Sequence, residues 1–253
     1  MTPPMNQDRP AWLHGASAEC DVLPKPPAVI TRLVLLGPPG VGKGTQAALL
    51  HDRLGACHLS TGDVFRNAGS RPHGGQTPAI REALAYMRRG ELVPDATVLE
   101  TVRERRACLH CRGGFILDGF PRTVVQAESL QRLLDQERLQ LTAVINYDLP
   151  VAAIVERLAG RRTCSQCKAV YHLTERPPEL AGRCDLCQGA LFQREDDEPE
   201  SIRVRLETYK QSTAPLIDFY RKLNLLILVP ASGTADEIYV RTMSALSVRP
   251  LRS

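Results

Sequence analysis

The sequence predicts an α/β fold: a five-stranded parallel sheet with helices on both faces, interrupted by two insertions. Five short strand candidates, residues 33–36, 57–59, 115–117, 144–147 and 225–229, alternate with segments whose apolar residues recur at helical spacing, which is the pattern of a parallel sheet built from crossovers. Several of these strands run straight into glycine-bearing polar turns, at the strand ends where open α/β sheets place ligands. A chain of 253 residues also buries a substantial core, enough for one domain with insertions.

The first strand is an uninterrupted run of Leu33, Val34, Leu35 and Leu36, which suits a strand covered on both faces. It leads into Gly37, Pro38, Pro39, Gly40, Val41, Gly42, Lys43, Gly44 and Thr45. The four glycines let the backbone bend tightly and turn several N–H groups toward one point, and Lys43 adds a mobile cation beside them. A helix over 43–54 then aims its positive end at the same place. Such a loop binds polyphosphate. A glycine-rich turn without a ligand is the bland alternative, and the ordered succession of apolar strand, glycines and lysine weighs against it. Gly44 follows the lysine where Ser or Thr is usual, and the hydroxyl arrives one residue later at Thr45.

The second strand, 57–59, ends in Ser60, Thr61, Gly62 and Asp63, and either Asp63 or Thr61 is expected to cap the helix that carries Val64, Phe65 and Arg66. A Gly-, Pro- and Ser-rich loop over 68–77 precedes a helix over 78–89 that stops at Gly90. Leu92 and Val93 read equally well as core residues or as a ligand-facing segment, and Asp95 is expected to cap a helix with Val98, Val102 and Arg105 at helical spacing. The third strand delivers Asp118, Gly119, Phe120, Pro121 and Arg122, with Gln126 following. A carboxylate at this position can order the waters of a divalent cation, and a planar guanidinium can clamp a phosphate. Cys108 and Cys111 lie at a helix end without a second CxxC pair nearby and read as structurally incidental.

After the fourth strand, a helix from about residue 150 carries Arg157 and Arg161 four apart. By itself that pair fits a solvated helix face. Cys164-x-x-Cys167 and Cys184-x-x-Cys187 follow, separated by 16 residues; each forms a tight knuckle, and together they supply the four thiolates that structural Zn²⁺ prefers. Two disulfides or free thiols are the alternatives. Tyr171 and His172 lie between the knuckles, and four sulfurs leave His172 no place as a ligand. Beyond Arg194, the pair Asp196 and Asp197 precedes Pro199, an expected N-cap with proline in the first turn. The helix then presents Ile202, Leu206, Tyr209 and Thr213, with a break or bend expected at Pro215. Ser232, Gly233 and Thr234 follow the last strand.

The strings GPPGVGKGT, STGDxxR and DGFPRTxxQ together resemble those of the nucleoside monophosphate kinases, P-loop NTPase-type proteins. From about residue 31 to the last helix, the chain resembles the adenylate kinases with a zinc-binding lid. The resemblance implies the reaction ATP + AMP ⇌ 2 ADP, with Mg²⁺ held by phosphate oxygens and waters, and a role in adenine-nucleotide balance. It implies that residues 37–45 with Arg157, Arg161 and Gly233 bind ATP, and that Thr61, Arg66, Leu92, Val93, Gly119, Arg122, Gln126, Arg194 and Arg205 bind AMP. Lys43, Asp118, Arg122, Arg157, Arg161, Arg194 and Arg205 would carry catalysis, and Cys164, Cys167, Cys184 and Cys187 would hold structural Zn²⁺. UMP/CMP kinases tend to have alanine in place of Thr61 and asparagine in place of Gln126, so Gln126 is the expected reader of the adenine edge. The implied parts are a core of 29–59, 94–160 and 198–253, an NMP-binding insertion of 60–93 and a lid of 161–197, after a disordered extension of 1–28.

With 32 basic and 28 acidic side chains, the net charge of +4 implies neither a nucleic-acid nor a membrane partner. No apolar run approaches the roughly 20 residues that span a bilayer, and residues 1–28 contain no continuous apolar segment of a secretory signal. Eight cysteines in this length, four of them in paired CxxC spacing, fit a reducing cytoplasm better than a disulfide scaffold. A monomer acting on small molecules is the expectation. Another monophosphate kinase would keep the arginines and prefer a different base. A zinc-ribbon nucleic-acid binder would need only the lid, which lacks clustered aromatics.

Overall fold

A computed structural model describes residues 12–13, 30–69 and 77–248. Among these, the sheet is built from β1 (Thr31–Leu36), β2 (Cys57–Ser60), β3 (Gly114–Asp118), β4 (Ala143–Asp148) and a last strand, β8 (Leu226–Pro230), in the order β2-β3-β1-β4-β8. All pairings are parallel, and β1 lies at the centre with Val34 opposite both Leu117 and Val144. Because side chains alternate across a strand, Val34, Leu36, Phe115 and Leu117 enter one core, while Leu33, Leu35, Ile116 and Ile145 enter the other.

Helices close both faces. On one side lie α2 (Thr61–Gly69), α3 (Pro78–Arg88), α4 (Asp95–Glu104), α5 (Val124–Gln136) and α8 (Pro215–Lys222), which contribute Phe65, Ala83, Val102, Leu130 and Tyr220 respectively. On the other lie α1 (Lys43–Leu54), α6 (Val151–Gly160), α7 (Pro199–Thr208) and α9 (Ala235–Ser247), which contribute Leu50, Leu158, Ile202 and Ile238. Between α6 and α7, a three-stranded antiparallel sheet, β6-β5-β7, is formed by β5 (Arg161–Cys164), β6 (Val170–His172) and β7 (Leu191–Phe192).

The borders of α1 have a local cause. Gly42 (φ 100°) and Gly55 (φ 70°) flank α1 in the left-handed conformation that glycine adopts without steric penalty. Pro215 does not end the helical run. Residues Tyr209–Thr213 widen into a π-helical turn, with Ala214 N–H bonded to Tyr209 O at 2.8 Å, so the proline's missing donor leaves no gap.

Three expected aspartate caps are replaced. The hydroxyl of Ser60, not Thr61 or Asp63, accepts from the Asp63 N–H at 3.3 Å. Asp95 is the first residue inside α4, whose N-cap is Pro94. Asp196 and Asp197 lie in a 3₁₀ turn before Glu198, the N-cap of α7. Their carboxylates serve the site described below.

Two further expectations are corrected. Cys111 is not incidental: it forms a disulfide with Cys57, 54 residues away, tying the start of β2 to the approach to β3. Cys108 is buried in the core and takes no part in that disulfide. Most of the extension expected to be disordered lies outside the described residues, but Trp12 and Leu13 are buried in the first core, 0 % and 5 % exposed. No helix among the described residues is long and apolar enough to cross a membrane.

Candidate active site

At the carboxyl ends of the strands, where β1 parts β3 from β4, a cavity of about 790 Å³ opens between the glycine loop, α2, the β3–α5 turn and the three-stranded sheet. This is the topological switch point of the sheet. Gly37, Pro39, Gly40, Gly42, Gly44 and Thr45 line it with Lys43. Pro38 and Val41 contribute from behind: the Pro38 carbonyl accepts a bond from Lys43 Nζ at 2.8 Å, and Val41 is buried in the core. A second bond, from Lys43 Nζ to Gly37 O at 2.7 Å, folds the ammonium back over the loop.

Thr61, Arg66, Leu92, Val93, Gly119, Arg122, Gln126, Arg157, Arg161, Arg194, Arg205 and Gly233 all line the same cavity, as does Asp118. The sequence separates these residues by more than 170 positions; the fold brings them to one space. Arg157 leans toward the last β–α turn, donating to Ala231 O at 3.1 Å and Gly233 O at 3.3 Å. Arg194 donates through Nε to Thr163 Oγ1 at 2.9 Å. Arg122 Nε bonds to Gly119 O at 2.9 Å, and Thr61 Oγ1 donates to the same carbonyl at 3.0 Å.

The charge balance is lopsided. Burial, then the neighbouring Arg122, Arg205 and Arg161, push the Lys43 ammonium down from 10.5 to about 7 against the opposing pull of Asp118. Arg122 is lowered to about 10 by burial and the charge of Arg205, and Arg194 to about 9 by burial with Arg66 and Arg161. These cations are depressed first by burial and then by one another, whereas Arg66, despite burial, is raised by Asp63 and Asp196, and a bound polyanion would offset both the burial and the mutual repulsion. Burial opposes ionisation of Asp196, yet Arg205, Arg66, Arg161 and Arg194 hold its carboxyl below the usual range. Asp118 behaves likewise: burial would raise it, and His58, through a 3.3 Å hydrogen bond and its charge, then Lys43, hold it down.

Sequence reasoning missed the carboxylates that orient the cations. Asp197, 1 % exposed, receives Arg161 Nε at 2.7 Å and a second Arg161 nitrogen, and its Oδ1 also accepts from Arg205 at 2.9 Å. Asp63 Oδ1 holds Arg66 at 2.8 Å. Asp95 Oδ1 accepts from Gln126 Nε2 at 2.7 Å, while Gln126 Oε1 accepts from the Arg122 N–H at 2.8 Å. His58 lies inside β2, two residues before Ser60 and the Thr-Gly-Asp turn, and its place in a strand that runs into that turn was the available signal.

Over the cavity, Cys164 at the end of β5, Cys167 in the β5–β6 turn, and Cys184 and Cys187 between β6 and β7 meet with all sulfurs within 4.8 Å of one another. Cys164 Sγ lies 3.4 Å from Cys187 Sγ, and Cys167 Sγ 3.5 Å from Cys184 Sγ. Four sulfurs tetrahedrally bound to Zn²⁺ at the usual bond length are about 3.8 Å apart, so the cluster is compatible with zinc. The residue after each knuckle, Lys168 (φ 62°) or Gln188 (φ 60°), takes the left-handed conformation that turns the chain around the sulfurs. Gly189 packs so closely that a Cβ there would lie 2.9 Å from Cys164 Sγ.

The adenylate kinase family model matches residues 35–225. The chain is 49 % identical over 208 residues to the adenylate kinase of Thermodesulfovibrio yellowstonii, covering 82 % of this chain and 95 % of that protein. It is 45 % identical over 215 residues to the adenylate kinase of Carboxydothermus hydrogenoformans, with 85 % and 99 % covered, and 49 % identical over 215 residues to that of Moorella thermoacetica, with 85 % and 97 % covered. With the glycine loop, the arginine-lined cavity and the cysteine-bearing sheet in one chain, these similarities show that the protein belongs to the adenylate kinase family.

Proposed function

We propose that the cavity transfers the terminal phosphoryl group of ATP reversibly to AMP, giving two ADP. The observation that carries this reading is the convergence of Lys43 with Arg66, Arg122, Arg157, Arg161, Arg194 and Arg205 on a single cavity. Two nucleotides bring phosphate groups to the same place, and these seven cations lining one cavity, several of them oriented by carboxylates, are suited to receive them.

Lys43 and the N–H groups of the non-proline residues of 37–45 hold the donor phosphates, with Arg157 and Gly233 on the ATP side. Thr61, Arg66, Leu92, Val93, Gly119, Arg122 and Gln126 hold AMP. An oxygen of the AMP phosphate attacks the γ-phosphorus as the bond to the β–γ bridging oxygen breaks, and no covalent enzyme intermediate forms. Arg161, Arg194 and Arg205 follow the charge as it spreads over the transferring group. The Asp197 carboxylate keeps two of those three from wandering. Mg²⁺ would be held by ATP phosphate oxygens and by waters that the Asp118 carboxylate orients, and it would supply neutralising charge on the donor. Closure of the NMP-binding insertion and the lid excludes water as a competing acceptor.

The four cysteines hold Zn²⁺ as a structural ion that stiffens the lid. The reading takes the protein to act as a monomer, a complete site needing no second chain, and puts it in the cytoplasm with its nucleotide substrates. A coupled assay with MgATP and AMP, CMP, UMP or GMP tests the assignment. AMP should be strongly preferred. Comparable turnover of CMP or UMP would assign a different monophosphate kinase, and no turnover of any acceptor would overturn the reading.

A further inference from the structure

Trp12 precedes the residues matched by the family model, which begin at 35, and it is the single tryptophan of the chain. It is nonetheless fully buried, in the core cluster that contains Leu59, Phe65 and Val98. Its indole Nε1 donates to Ser60 O at 2.9 Å, and its own carbonyl accepts from Arg105 Nε at 2.7 Å.

These two partners lie on the outgoing and returning sides of the NMP-binding insertion, Ser60 at its start and Arg105 at the far end of the helix that leads out of it. Ser60 ends β2, and its hydroxyl accepts from the Asp63 N–H, so the indole is bonded to the residue from which Thr61, Asp63 and Arg66 extend. Arg105 ends α4, the helix by which the chain returns from the insertion, and Asp95 at the start of that helix holds the Gln126 amide. One side chain and its backbone carbonyl therefore tie the outgoing strand to the returning helix. A tryptophan suits this because it fills a large buried volume with only two rotatable bonds and still offers one donor.

We propose that Trp12 is a positioning residue for the acceptor site: by tying the end of β2, where the insertion begins, to the C-terminal end of α4, the helix that leads out of it, it holds Thr61, Arg66 and Gln126 in the arrangement that binds AMP, without touching the nucleotide. The inference rests on the assignment of AMP to that side of the cavity. Removing only the indole N–H leaves the Ser60 carbonyl without that bond, a change equivalent to about fivefold in an equilibrium constant.

The test uses the full chain with Trp12→Phe, which keeps a ring and loses the donor, and Trp12→Ala, which removes the peg. KM for AMP should rise about threefold to fivefold in the first and about tenfold or more in the second, with KM for ATP and kcat within twofold of wild type. Equal changes in both KM values, or a lowered Tm with unchanged KM for AMP, would reduce Trp12 to a structural role and overturn the proposal. If the alanine variant does not fold, the phenylalanine variant decides alone. Because Trp12 is the only tryptophan, its fluorescence separates the possible failures. An indole freely quenched by acrylamide in an enzyme that turns over AMP overturns the proposal alone, whereas a protected indole in a protein without AMP turnover overturns the acceptor assignment and this proposal with it.

Discussion

Asp197 grips Arg161 with both carboxylate oxygens, and the same carboxylate, buried from solvent, reaches Arg205. Planar fork on planar carboxylate fixes direction as well as distance, so Asp197 determines where two of the cations point. Asp197→Asn keeps the shape and removes the charge. We expect a stability loss of about 1–3 kcal/mol, below the range for a wholly buried pair because both arginines face the cavity. We also expect a drop in kcat of tenfold or more. Thermal unfolding and steady-state assays measure both, and a variant equal to wild type in each would mean that Asp197 positions nothing.

Lys43 carries a pH prediction. Its ammonium, lowered to about 7 chiefly by burial, is partly neutral in the empty cavity at neutral pH. A bound polyphosphate stabilises the charged form and raises the pKa, so ATP binding takes up a proton when the pH lies above the free value and below the bound one. The sign follows: affinity is insensitive below about pH 7 and weakens as pH rises above it. Calorimetry at pH 8 in buffers of different ionisation enthalpy should reveal proton uptake, and Lys43→Arg should lose it because arginine stays charged. No uptake at pH 8 in the wild type would refute the assignment. Lys43→Ala should nearly abolish transfer while leaving the fold intact.

Much of this site was legible because its signals are local. A strand, a glycine loop and a helix start are consecutive, and the five strand candidates differ from the observed strands by only a residue or two, as with 57–59 against Cys57–Ser60 and 225–229 against Leu226–Pro230. The aspartates were not legible in role. Asp63, Asp95 and Asp197 stand near helix starts, where a capping carboxylate and one that reaches across the fold carry the same sequence signature. Trp12 with Ser60 and Cys57 with Cys111 are pairings over 48 and 54 residues, which no local pattern encodes.

Gln126 is held at both ends of its amide, by Asp95 and by the Arg122 N–H, yet lines the cavity. A primary amide has two N–H donors and two lone pairs, so one donor and one acceptor remain for an adenine edge after the protein has fixed its orientation. Gln126→Asn shortens that reach. Loss of a two-bonded base contact costs roughly 1–3 kcal/mol, so selectivity for AMP over CMP should fall by about tenfold while turnover of a saturating acceptor changes less. Unchanged selectivity would show that the base is read elsewhere.

The Cys57–Cys111 bridge closes a long loop around β2, α2, α3 and α4. Loop-closure entropy for such a separation corresponds to about 4 kcal/mol as an upper limit. Cys57→Ser should therefore lower Tm under non-reducing conditions and make little difference in excess reductant. Peptide mapping without reductant identifies the pair directly. Recovery of both cysteines as free thiols from unreduced protein would exclude the bridge.

The lid gives the last prediction. All four positions of a tetrahedral shell would be sulfur, three of the cysteines are buried, and no ligand position is left for water or substrate. A closed shell distinguishes structural from catalytic zinc. The apolar support is small, since the cluster beneath the lid consists of the cysteines with Ala169, Tyr171 and Leu191, so metal binding and local folding should be one event. Cys184→Ser should lower metal content and Tm first, and activity at low temperature should suffer less than from Arg161→Ala, because in the proposed mechanism the arginine would face the transferring group and the cysteine would only hold the lid together. A chelator should loosen the lid, read as protease sensitivity within 161–197, before the sheet unfolds. Elemental analysis of protein purified under reducing conditions decides the matter: native protein free of metal and equally stable to heat would overturn the assignment.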